Sequence, residues 1–156
     1  MKTLKAWHFT GDKLRDGSPI PPVGKWLKYS GKCVICTSGL HYSLQPFDAL
    51  QYAPGPMLHY VEVSEIMETQ SDKGVCRRRR ILCSMDATKL LRYYARMQAL
   101  SVVHLWAAPD VVLDYLMTGD ESIRDAAWDA DRAAGAAARA AARTEFNDLV
   151  YECFGL

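Results

Sequence analysis

Val75-Cys76-Arg77-Arg78-Arg79-Arg80-Ile81-Leu82-Cys83-Ser84-Met85-Asp86 is where one kind of chain gives way to another. As far as Cys83 the run is β-favouring, with apolar ends enclosing four arginines. Asp86 then suits a helix cap, and Leu90, Leu91, Tyr94 and Met97 follow at helical spacing. Short β-type runs lie before this boundary and helical ones after it. The expected fold class is therefore α+β. A small mixed or antiparallel sheet domain covers residues 1–84, and a helical region over 85–156 packs on it.

Upstream, Met57–Val63 favours strand, and so do residues 3–9 with Leu4, Ala6, Trp7 and Phe9. Gly11, Gly17, Pro19, Pro21, Pro22 and Gly24 make 11–24 a loop. Trp26–Tyr29 is a short strand ended by Ser30-Gly31, and Cys33-Val34-Ile35-Cys36 is a short apolar strand. Pro46 opens a helix over 46–53, closed by Pro54-Gly55-Pro56. Downstream, Pro109 opens a helix carrying Val111, Val112, Tyr115 and Leu116. Thr118 and Glu121 have the spacing of a capping box, starting a helix that runs to Phe154. Within 126–142, 11 of 17 residues are Ala, so the segment favours helix strongly even though Gly135 weakens it by about 1 kcal/mol. So little bulk lets another helix approach closely. That helix is either a preceding one, with Trp128, Phe146, Leu149 and Tyr151 as anchors, or one from a partner or a second copy in a dimer.

The 156 residues, 49% of them apolar, suffice for a core. No run of about 18 apolar residues is present, so no membrane-spanning helix is expected. The opening residues lack the pattern of a secretion signal, and five cysteines are an odd number, which points to reduced thiols in a cytoplasm. The net charge of +1 conceals a split: residues 1–83 hold 12 Lys/Arg and 7 Asp/Glu, residues 84–156 hold 7 and 11. A basic front half is open to phosphates or acidic partners.

Two short stretches carry candidate chemistry. His8-Phe9-Thr10 lies in the opening strand, and Gly39-Leu40-His41-Tyr42-Ser43 forms a turn leading into a helix with Ala49 and Tyr52. With the strand Leu58–Val63, this order resembles the poly-ADP-ribose polymerase branch of the ADP-ribosyltransferase superfamily over residues 6–63. There a His-x-Thr/Ser strand opens the fold and a Tyr-bearing turn follows a Gly-rich stretch. The resemblance implies an ADP-ribosyltransferase-like scaffold in which His8 bonds the ribose of NAD and Tyr42 stacks on nicotinamide. Thr10, Gly39 and Tyr52 would complete the cofactor site. It also implies a catalytic acid on a late strand, but Cys76–Cys83 carries none. The candidates are Glu62, Glu65 and Glu68, with Glu62 the one assigned beside His8 and Tyr42. Members without that acid are weak enzymes or inert binders.

Two further groups have structural as well as functional readings. Cys33 and Cys36, with His41 and then His59 or Cys76, fit zinc ligand types, but a second knuckle is missing and no metal is assigned. In a strand, Arg77 and Arg79 face one side and Arg78 and Arg80 the other; one pair is open to phosphates, an acidic partner or the acids of the helical half, the other needs solvent or carboxylates, and all four are the partner-binding candidates, for nucleic acid as well. No phosphate-binding loop, His-Glu-x-x-His motif, Gly-x-Ser-x-Gly elbow or dinucleotide fingerprint occurs. The Ala-rich tail resembles those of some phage-type proteins. This implies a compact effector or inhibitor in a host cytoplasm that acts by occupying a macromolecular partner, a CRISPR-Cas defence complex being one version. The alternatives are an active NAD-dependent ADP-ribosyltransferase and a nucleic-acid-binding protein using Arg77–Arg80.

Overall fold

Period-two burial in the front half of the chain builds a sheet with two differently occupied faces. The strands are β1 (Thr3–Thr10), β2 (Trp26–Lys28), β3 (Leu40–Tyr42), β4 (Met57–Thr69) and β5 (Gly74–Asp86), and a short helix α1 (Pro46–Leu50) lies between β3 and β4. Three helices follow: α2 (Thr88–Val102), α3 (Asp110–Thr118) and α4 (Arg124–Phe154), with a 3₁₀ turn at Val103–Leu105. The structure is a computed structural model and describes the backbone of residues 2–154, with side-chain surroundings for 2–138, 140 and 141. The chain divides into two compact units, Met1–Leu91 and Arg92–Leu156. No helix among the described residues is long and apolar enough to cross a membrane.

The sheet is open and antiparallel throughout, in the order β1-β4-β5-β2, with β3 pairing the other end of the same β5 edge. β4 and β5 form a long hairpin whose turn is closed by the Gln70 N–H on the Lys73 carbonyl at 2.7 Å. Two bulges bend it: Leu82 is extra on β5 opposite Tyr60/Val61, and Met67 is extra on β4 opposite Cys76/Val75. A two-bond bridge joins Ser43 to Trp7, so the chain leaving β3 meets the free edge of β1 and the sheet curls around one face. That concave face carries the larger core, where Ala6, Tyr42, Val61, Val63, Cys76 and Ile81 pack with Leu4, Ile20, Leu40 and Ile66. On the other face Phe9, Ala49, Leu58 and Ala87 pack with Trp7, Leu50, Ala53 and Leu91, which places α1 and the first turn of α2 there.

Several local expectations change. β4 and β5 run beyond Val63 and Cys83 because each supplies the other's ladder bonds. Asp86 still caps α2: its Oδ1 accepts the Thr88 N–H at 2.8 Å and the Thr88 hydroxyl at 2.5 Å. α1 ends at Leu50 rather than at residue 53, since Tyr52 and Ala53 bond back three residues in a tightened last turn before Pro54. Cys33–Cys36 is not a strand. Val34 and Ser38 bridge a tight turn in which Cys36 takes φ 65°, so the apolar run reflects a loop leaning on the sheet.

Among the later helices, Thr118 and Glu121 do not form a capping box. The Thr118 hydroxyl donates to the Asp114 carbonyl and accepts the Asp120 N–H, while Gly119 ends α3 in the left-handed region. Glu121 instead pairs with Arg92 and Arg124, at 3.0 and 3.2 Å. Trp128 is 65% exposed rather than an internal anchor. Phe146, Leu149 and Tyr151 lie outside the residues whose side chains are described.

Candidate functional site

Strand register places the candidate residues before any side chain is considered. His8 lies opposite His59 on β4, and His59 lies opposite Ser84 on β5, so one row crosses the concave face. Arg79 is opposite Val63 and Leu27 on the same face. This face and the segments curling over it enclose a cavity of about 930 Å³. The strands contribute His8, Thr10, Leu40, His41, Tyr42 and Arg79. Lys13–Asp16, Tyr29, Cys36–Gly39, Tyr52 and Lys73 also line it, and so do Trp7, Phe9 and Ala49, which pack with the second core cluster. The size is that of a site for a nucleotide-sized molecule.

The concave face is organised around one arginine. Arg79 is 5% exposed, and its Nη1 donates to the His41 main-chain carbonyl. Among the described residues no carboxylate pairs with it. Burial pushes its pKa down to about 10, so it remains a cation at neutral pH. Burial and then the field of Arg79 lower the pKa of His8, His41 and His59 alike, most strongly for His8. Hydrogen bonds fix the neutral forms of two of them. The Thr10 hydroxyl donates to the Gly11 carbonyl at 2.9 Å, so it must accept the Nε2–H of His59 at 2.8 Å. His59 Nδ1 is then the acceptor for the Ser84 hydroxyl at 2.6 Å. His41 Nε2 accepts the Cys36 N–H at 2.9 Å, which leaves its proton on Nδ1. The imidazole of His8 borders the cavity and has no hydrogen-bond partner among the described residues.

At the mouth Lys73 lies 4.7 Å from the Tyr52 ring centroid and donates to its hydroxyl at 3.0 Å, while that hydroxyl donates to Asp72. The Tyr52 bond, ahead of Asp72, raises the Lys73 pKa. Of the sequence-derived cofactor residues, Thr10, Gly39 and Tyr52 therefore share the cavity with His8. Gly39 is required there on two counts: its φ is 108°, and a Cβ would lie 2.5 Å from Val75 Cγ2. Tyr42 borders the cavity too, but it is 2% exposed, packs in the core and shares a 2.9 Å hydrogen bond between its hydroxyl and that of Thr69.

Glu62 has a different place from the one assigned by resemblance. It lies between Val61 and Val63 and projects from the opposite face of the sheet, where Lys5 Nζ donates to it at 3.1 Å and Arg80 Nε at 2.6 Å. Neither Glu62, Glu65 nor Glu68 lines the cavity. The hydrogen bond from Lys5, then that from Arg80, holds the Glu62 carboxyl below the usual carboxylate range. A depressed folded-state pKa contributes stability above the unfolded value of about 4.3, and that contribution is lost as pH falls through the folded value. Glu62→Gln is accordingly expected to lower stability by about 1 kcal/mol near pH 7. In urea titrations that deficit should shrink towards zero at about pH 3. An undiminished deficit at acid pH would show that the two ion pairs are not its source.

The arginine run is used within the fold. Arg78 and Arg80 both lie 4.8 Å from the Trp26 ring centroid on the outer face. Arg80 pairs with Glu62 and Arg78 with Glu65, while Arg77 donates to the Ser30 carbonyl. Cys33 Sγ donates to the Cys76 carbonyl, and burial pushes the Cys76 thiol up to about 12. Among the described residues no group of three His, Cys, Asp or Glu side chains is arranged to hold a metal ion.

Sheet and cavity together define a small antiparallel domain with a cationic concave face. The chain belongs to the family described as Domain of unknown function (DUF7666), which matches residues 4–93 and so covers every residue of the cavity. No curated protein matches the chain, and no solved structure does. The cavity residues that sequence reasoning missed are Arg79 as the centre of the concave face, together with Lys73 and the loop Lys13–Asp16, while His41 was read only as a candidate metal ligand. Arg79 is two residues from the apolar Ile81, so strand alternation alone carried a signal for it.

Proposed function

We propose that the unit Met1–Leu91 is a binding domain that holds a nicotinamide-dinucleotide-type ligand in this cavity and does not cleave it. The observation that carries the reading is His8: its imidazole borders a nucleotide-sized cavity with no hydrogen-bond partner among the described residues. An ADP-ribosyltransferase-like scaffold is supported by the order of the His8–Thr10 strand, the Gly39–Ser43 segment, α1 and β4, although Leu40–Tyr42 is the strand β3 rather than the turn the resemblance implies. Cleavage of the glycosidic bond would need a carboxylate near the ribose. Among the described residues the acid lining the cavity is Asp16, whose carboxylate is held by the Ser18 hydroxyl at 2.6 Å. With the Tyr42 ring buried, the more exposed rings of Tyr29 and Tyr52 are the stacking surfaces of this reading.

Calorimetric titration with NAD is expected to show one site, with NAD recovered intact afterwards. His8→Ala should weaken binding about tenfold or more, the value of a hydrogen bond lost from a polar site. Absence of binding at about 1 mM NAD would remove the reading. Release of free nicotinamide would restore the active transferase in its place.

A second reading, an effector or inhibitor that occupies a macromolecular partner, is favoured by the surface of the other unit. Val102, Leu105, Met117 and Trp128 are all exposed, Leu105 by 72%, within one run of helices. A bacterial defence complex such as CRISPR-Cas is one partner of the proposed kind. A stoichiometric complex lost on Leu105→Asp and Trp128→Ala substitution would support this reading, and unchanged association would count against it.

A further inference from the structure

We infer that Arg79 is the anchor of a phosphate subsite, so that the ligand of the cavity is recognised by its phosphoryl groups. This rests on the cavity being a ligand site. Neighbouring arginines on one strand are satisfied differently. Arg80 has the Glu62 carboxylate, and Arg78 has Glu65 and the face of Trp26. Arg79, the most buried of the four, has one main-chain carbonyl and no carboxylate among the described residues. A guanidinium is costly to bury without an anion, and its fork of donors leaves capacity beyond a single carbonyl.

The surroundings carry more cations than anions. The cavity wall holds Lys13, Arg15 and Lys73 besides Arg79, against Asp16 among the described residues, while Asp72 pairs with Lys73 at 3.8 Å and the three nearby imidazoles stay neutral. An anion supplied from solution completes this arrangement. The planar fork suits a phosphate bidentately, and the neutral imidazole of His8 can add a donor beside it. The cavity is far larger than a phosphate ion, and Trp7, Phe9, Leu14, Tyr29 and Leu40 give it apolar wall. The class that fits both parts is a ring system carrying phosphate, a nucleotide rather than a nucleoside or a free sugar.

The test compares NAD, inorganic pyrophosphate, adenosine and nicotinamide riboside as ligands of the full chain. NAD and pyrophosphate are expected to bind competitively. The two phosphate-free nucleosides should bind about 10- to 100-fold more weakly than NAD, the range for losing hydrogen bonds to a charged group. Arg79→Gln and Arg79→Lys should both reduce NAD affinity by a similar factor while leaving adenosine binding unchanged. Should neither variant fold, the Arg79 Nε–H resonance of the unsubstituted protein still decides the matter, since pyrophosphate should shift it. Adenosine binding as tightly as NAD, or an Arg79 resonance indifferent to pyrophosphate, would overturn the subsite while the cavity reading stands. If none of the four binds, the cavity reading falls and the subsite falls with it.

Discussion

Tyr42→Ala should destabilise the sheet unit by about 3–5 kcal/mol, the range for removing a large aromatic ring from a packed core. Tyr42 is 2% exposed and touches the Ala6–Val61–Val63–Cys76–Ile81 cluster where β3 pairs with β5. Its ring lies across Gly74, its partner in the ladder, where a Cβ would come 2.3 Å from Tyr42 Cζ. The glycine leaves the space that the ring fills. Tyr42→Phe keeps the ring and loses only the hydrogen bond to Thr69, so about 1 kcal/mol is expected. Urea unfolding of the two variants separates a core role from a ligand platform. Near-native stability of Tyr42→Ala, coupled with loss of NAD binding, would show that the ring serves the ligand and not the core.

Acidification is expected to destabilise the same unit well above the range where carboxylates titrate. His8, His41 and His59 have folded-state pKa values below the usual 6.5, each through burial first and then the field of Arg79. Arg15 and Lys73 add to that field at His41. The unfolded chain therefore binds protons that the folded one does not. Stability conferred by the neutral imidazoles is complete above about pH 6.5 and falls as pH drops through the folded values. Each histidine contributes a slope of up to about 1.4 kcal/mol per pH unit in that window. Urea midpoints should fall clearly between about pH 7.5 and about pH 5.5, and His59→Asn should flatten the dependence. A midpoint that rises on acidification would mean that these rings gain a carboxylate partner and that the concave face is not cationic.

The same physics separates what was legible from what was not. The α+β class was readable because Val75–Cys83 and Leu90–Met97 differ in period, and Asp86 caps α2 as its side chain dictates. His8, Thr10, Gly39 and Tyr52 were singled out by their order along the chain, and the sheet gathers them at one cavity. Glu62 was assigned beside them because the resemblance calls for an acid on a strand after the helix that follows Tyr42. In a strand, however, a shift of one residue reverses the face, and next to Val61 and Val63 it could only point away. The Cys33–Cys36 run had strand composition but no neighbour to pair with, so it folded as a turn.

By itself, then, the order of residues set which segments become strands and helices, which side of each strand is apolar, and that Arg79 and Arg80 must part company. Those are properties of local period and need no partner. The tertiary structure decided how the strands line up: His8 beside His59, Gly74 beneath Tyr42, and Ser43 bridged to Trp7 so that the sheet curls over a cationic hollow. Pairing over long sequence separations is set by the sum of many cross-strand contacts, and no single segment encodes that sum. Arg79 became the centre of the concave face only when that pairing enclosed it, with no carboxylate partner among the described residues.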